Sequence, residues 1–181
     1  MATFKRKLPT ERETRLVFAA CAFLVYSWTI LVYLWEVPGW QKYLSAGDIA
    51  AILAYALASA LIESVILFSA FILLRVLLPI HVFRDRFAGK AAALLFMNAL
   101  WAILLHLMIL SDQILTWTPR RYVVSAIVYL LSLVFSWAFV HISDFFARHI
   151  EELVNRMTVL LYVYVPFGIF GMVVVIVRNV L

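Results

Sequence analysis

The sequence predicts an all-α, polytopic transmembrane helix bundle. It has five spanning helices and a short amphipathic helix on the inner side between the fourth and the fifth. Three observations predict it. Of the 181 residues, 66% are hydrophobic and only 14% charged, with a mean hydropathy of +1.03. Five runs each reach the roughly 20 apolar residues needed to cross a hydrocarbon core of about 30 Å. The basic residues also fall unevenly on the loops between these runs, in the pattern that orients membrane proteins. A soluble domain is about half apolar and about a quarter charged. A single core of this size could not keep so much apolar surface from water. A soluble enzyme, a disordered chain and a conventional nucleic-acid-binding domain are therefore excluded.

The expected spans are 16–35, 49–74, 91–110, 122–143 and 157–177, within one integral membrane domain of residues 1–181. Each should be helical, because a lone strand or an irregular segment leaves backbone polar groups unsatisfied in lipid. The first run follows Lys5, Arg6 and Lys7, as a signal peptide would. It is longer than an h-region, and it exits through Glu36-Val37-Pro38-Gly39-Trp40 rather than a small-residue cleavage site. These features predict a retained anchor helix that Val37-Pro38-Gly39 stops. Glu63 alone interrupts the second run, which Asp48 should cap and Pro79 should close. Arg75, near its end, is expected to snorkel to the headgroups. The third run carries Asn98 and His106 but no formal charge, and the fourth and fifth are charge-free.

Loop charges set the expected orientation. With the N-terminus inside, that side holds eleven Lys and Arg residues: 5, 6, 7, 12, 15, 75, 84, 86, 90, 148 and 156. The other side holds four, at 42, 120, 121 and 178. The positive-inside rule then predicts an integral plasma-membrane protein with its N-terminus in the cytoplasm and its C-terminus outside. Trp35, Trp40, Tyr43, Trp117 and Tyr122 cluster at the expected outer ends, as an interfacial aromatic belt does.

In segment 142–156, apolar residues at 142, 145, 146, 150, 153 and 154 line one helical face. On the opposite face Asp144 can pair with Arg148, and Glu152 with Arg156, at i,i+4 spacing. The expectation is a connector on the inner membrane surface or an extension of the fourth helix. The alternative is a docking surface built on Phe145 and Phe146.

Glu63 is the most informative residue. It lies 14 positions after Ile49 and 11 before Leu74, hence near mid-bilayer. An acid at that depth is expected to face the bundle interior. Asn98, Ser132, Tyr26 and Ser27 fall at matched depth in other spans, so the five together predict a buried polar layer. Such a layer either fixes helix register through interhelical hydrogen bonds or handles protons or cations with Glu63 as the titrating group. Ser125, Tyr129, Ser132 and Ser136 share one face of the fourth span and should pack against other helices. Ala50, Ala54 and Ala58 in the second span, with Gly168 and Gly171 in the fifth, should allow close helix approach. In the loop before the third span, Arg84, Arg86 and Lys90 alternate with Phe83 and Phe87, which predicts contact with anionic lipid headgroups.

No catalytic constellation is present: the chain lacks a P-loop, GxGxxG and GxSxG. No cofactor is expected. The four histidines have no metal-ligand spacing, so no metal is expected either. Cys21 is the sole cysteine, which excludes an internal disulfide and suggests an inert core thiol. The leading expectation is a non-enzymatic accessory, scaffold or binding subunit. Its partners are the bilayer, anionic headgroups on the inner face, and a protein partner or further copies of itself, with no nucleic acid. The alternatives are a small oligomeric transporter or channel using Glu63, and a membrane enzyme acting on lipid-linked substrates.

Overall fold

The computed structural model describes residues 9–79, 83, 85–111 and 118–180. Five helices are long and apolar enough to cross a membrane, and among the described residues there is no strand. The chain is an integral membrane protein.

Helix α1 (Glu11–Trp40) begins five residues before the expected span. The reason is a capping box. Thr10 Oγ1 accepts from the Glu13 N–H, and the Glu13 carboxylate accepts from the Thr10 N–H at 2.8 Å. The expected stop at Val37-Pro38-Gly39 does not occur, and the helix runs through Pro38 to Trp40. Pro38 has no N–H to offer the Leu34 carbonyl, so one bond near the helix end is missing, and the Gln41 N–H closes the helix on the Val37 carbonyl at 3.0 Å.

Helix α2 (Ala46–Leu77) starts with a second reciprocal cap. Ser45, rather than Asp48, is the capping residue. Its hydroxyl accepts from the Asp48 N–H at 3.2 Å and donates to the Asp48 carboxylate at 2.7 Å. Helix α3 (Phe87–Leu110) follows Arg86, whose φ of 57° is left-handed, and α4 (Pro119–Ile142) carries its proline in the favoured first turn.

The fifth apolar stretch, Asp144–Val180, is helical throughout. It comprises α5 (Asp144–Met157), a 3₁₀ turn at Thr158–Leu160 and α6 (Leu161–Val180). Ser143, with an extended backbone, separates α5 from α4, so the segment does not extend the fourth helix.

The sequence offers no linker, yet the helices sort into two compact units: residues 1–77 with 153–181, and residues 78–152. In the first unit α2 packs against both α1 and α6. Phe18 meets Phe68 edge-to-face at 5.5 Å, and the Tyr33 hydroxyl donates to the Ile49 carbonyl at 3.2 Å. The start of α1 therefore lies beside the end of α2. Arg178 lies 3.6 Å from Asp48, which puts the end of α6 beside the start of α2. Ala22, Tyr26, Leu57 and Ala60 form the core, with Leu161 and Tyr164 packed on it.

In the second unit α3 and α4 form an antiparallel pair. Ala93, Val140 and Ala147 make its core, flanked by Ile150. Gly89 sits at this contact: a Cβ there would lie 3.4 Å from Val140 Cγ1 and 3.6 Å from the Ala147 carbonyl oxygen, ordinary van der Waals distances.

Candidate functional site

Helix α2 uses one face for the core of the first unit. Ala54, Leu57, Ala58, Ser64, Phe71 and Arg75 are all buried. At about 100° per residue, Glu63 falls on the opposite face. It is exposed, together with Ser59, Ile62, Ile66, Ala70 and Leu73. The expectation that Glu63 faces the bundle interior is thus corrected. The interior positions of α2 at this depth are occupied by Ala60 and Ser64, each 0% exposed. The Glu63 carboxylate accepts a hydrogen bond from the Ser59 hydroxyl one turn earlier, at 2.8 Å. An acid near mid-bilayer costs about 2.5–3.5 kcal/mol on insertion scales. One hydrogen bond to a charged group, worth about 1.5–3 kcal/mol net, offsets part of that.

Tyr26 goes the other way. It is 0% exposed, its ring stacks on Tyr164 with centroids 4.8 Å apart, and among the described residues its hydroxyl has no hydrogen-bond partner. That hydroxyl lies against Gly168, where a Cβ would overlap it. Ser27 is half-buried and lines an open apolar groove with Ile30, Leu31, Leu34, Trp35 and Tyr164. Tyr26 and Glu63 belong to the same unit but to opposite sides of α2, so the expected layer does not join them.

The glycines behave as their spacing predicts. A Cβ on Gly171 would lie 2.6 Å from the Ala54 carbonyl oxygen and 3.1 Å from the Ala58 nitrogen. Only hydrogen at that position allows the two helix backbones to approach this closely. Ala54 and Ala58 supply the matching flat surface.

In the second unit Asn98 and Ser132 do join one network. The Tyr129 hydroxyl donates to Asn98 Oδ1 at 2.5 Å, and Asn98 Nδ2 donates to the Leu94 carbonyl at 2.8 Å. Trp101 Nε1 donates to Ser132 Oγ at 2.8 Å, and Ser132 in turn donates to the Tyr129 carbonyl. Ser136 is buried and bonds to the Ser132 carbonyl, while Ser125 is half-buried. Asn98 itself is exposed, so this network sits on the α3–α4 seam rather than in a closed interior. Sequence reasoning missed Trp101, although it lies three residues from Asn98 and therefore on the same face.

Of the three expected headgroup ligands, Arg84 lies outside the described residues. Arg86 is held within the fold. Its guanidinium donates to the carbonyls of Val140 (3.1 Å) and His141 (3.3 Å) and forms an ion pair with Asp144. These are the carbonyls that the last turn of α4 leaves unsatisfied. Asp144, expected to pair with Arg148, is thus held by Arg86. Lys90 is 0% exposed with its ammonium 5.3 Å from the centroid of the Trp137 ring. The expectation of a headgroup-facing Lys90 is corrected: the start of α3 is too closely packed, through Ala88, Gly89 and Ala91, to leave its side chain at the surface.

Arg75 corrects another expectation. It does not snorkel but pairs with Glu13 at 3.0 Å, with 5% and 24% of the two side chains exposed. The signal was available, because both residues belong to the same predicted membrane side. Among the described residues no group of three His, Cys, Asp or Glu side chains could hold a metal ion. His81, one of the four histidines, lies outside them.

No protein-family model, curated protein or solved structure matches the chain.

Proposed function

We propose that this protein is a non-enzymatic membrane subunit that binds another protein within the bilayer, using the exposed face of α2. One observation carries the reading: Glu63 stands near the middle of an apolar 32-residue helix, on the side away from α1 and α6. The hydrocarbon interior is a poor solvent for that carboxyl, and a protein partner supplies what lipid lacks. A solute path inside the first unit finds no support in this position. The loop charges favour a cytoplasmic N-terminus and an external C-terminus at the plasma membrane. With this orientation α5 lies on the inner side, where exposed Phe145 and Phe146 reach the acyl boundary and its basic residues meet anionic headgroups.

The test is photo-crosslinking in native membranes. A photoreactive residue at Ile66, beside Glu63 on the exposed face, should give a discrete adduct with a different protein. The same residue at Leu105, on an exposed stretch of α3, is the control and should give lipid adducts. Lipid adducts at both positions would refute the subunit reading. Adducts with a second copy alone would replace it with the oligomeric transporter or channel.

A further inference from the structure

We infer that the partner presents a lysine or arginine from its own transmembrane helix to Glu63. This rests on the subunit reading above and specifies its chemistry. The exposed face of α2 carries one formal charge across the bilayer core, the Glu63 carboxylate, and its hydrogen-bond donor within α2 is Ser59. A carboxylate accepts hydrogen bonds through two oxygens, and Ser59 engages one of them. The complement of an acid in a medium of low dielectric is a base at the same depth, where the attraction is poorly screened.

The surrounding surface suits a helix. Ser59 lies one turn before Glu63 and Ala70 two turns after it, and both are small and exposed. They leave room for a second backbone to approach, while Ile62 and Ile66 offer apolar contact on one flank. A second copy of this chain fits less well. A two-fold dimer on this face sets each residue near the axis against its own copy. That would bring the two Glu63 carboxyls together in hydrocarbon, where like charges oppose each other.

A synthetic probe tests the charge requirement directly. The full chain is reconstituted in phosphatidylcholine vesicles with a labelled leucine-rich transmembrane peptide carrying one central lysine. Association is read by energy transfer, and matched peptides with central leucine or glutamate serve as comparisons. The lysine peptide should associate about tenfold more tightly than the leucine peptide, a ratio equivalent to ~1.4 kcal/mol. The glutamate peptide should show no gain. Glu63→Leu should abolish the lysine preference, with Cys21 labelling unchanged as proof that the unit remains folded. Equal association of lysine and leucine peptides would overturn the inference, as would a lysine preference that survives Glu63→Leu.

The two proposals fail separately. An Ile66 adduct whose partner helix lacks a basic residue overturns the charge assignment and leaves the subunit reading standing. A crosslink from Ile66 to another part of this same chain overturns both.

Discussion

Replacing Gly171 with alanine probes the close approach of α6 to the backbone of α2. The added Cβ would lie 2.6 Å from the Ala54 carbonyl oxygen, roughly 0.8 Å short of the 3.4 Å at which ordinary contact begins. The atoms it meets include the backbone of α2 at Ala54 and Ala58. No rotamer change relieves the clash, so the helices must separate. A separation of about 0.5–1 Å forfeits roughly a quarter to a half of the dispersion energy at each affected contact, and overpacking of this kind typically costs about 1–3 kcal/mol. Alanine recovers at most about 1 kcal/mol through its better helix propensity. The net expectation is a destabilisation of about 1–2 kcal/mol, or a factor of about 5–30 in the open population. Cys21 supplies the assay. It is the only cysteine in the chain and is 0% exposed in α1, so its alkylation in mild detergent reports opening of the first unit. Gly171→Ala should raise the labelling rate about 5–30-fold, and Gly171→Leu further. Gly39→Ala, whose Cβ would meet nothing within 4 Å, should leave the rate at the wild-type level. Wild-type labelling in both Gly171 variants would refute the close-packing argument.

Three further outcomes follow from the same geometry. Tyr26→Phe removes a buried hydroxyl with no hydrogen-bond partner among the described residues and should be neutral or stabilising by up to about 2 kcal/mol. It should also lessen the damage from Gly168→Ala, so a double-mutant cycle in Cys21 labelling that shows strict additivity would contradict the contact between these residues. Glu13→Gln removes the carboxylate that pairs with buried Arg75 at 3.0 Å and should destabilise the first unit by no more than the low end of about 3–5 kcal/mol, since Glu13 keeps some solvent contact. The Glu13→Leu/Arg75→Leu double variant should recover much of that loss in thermal melts. A cycle between Asn98→Leu and Tyr129→Phe should give a coupling of about 0.6 kcal/mol and no more than about 1.7. Zero coupling in denaturant titrations would argue against the hydrogen bond across the α3–α4 seam.

Much of the architecture is determined by the chain alone. In lipid a spanning segment must satisfy its backbone internally, so run length and composition suffice to specify five helices. Spacing also indicated that Gly168 and Gly171 would pack closely and that Tyr129, Ser132 and Ser136 would share a seam. Helix ends were less legible. The caps at Thr10 and Ser45 lie in polar flanking sequence, outside the apolar runs that marked the spans.

Tertiary structure decided which way each polar side chain points. Depth along a helix is read directly from residue number, but rotation about its axis depends on which neighbours complement which face. Glu63 and Tyr26 share a depth and still end on opposite sides of α2, because the Gly168–Gly171 surface of α6 fits the Ala54–Ala58 side and leaves the Ser59–Glu63 side uncovered. Glu13 and Arg75, and likewise Arg86 and the end of α4, were paired by the same selection. Each is a contact between residues 54 or more positions apart, and no local pattern encodes it.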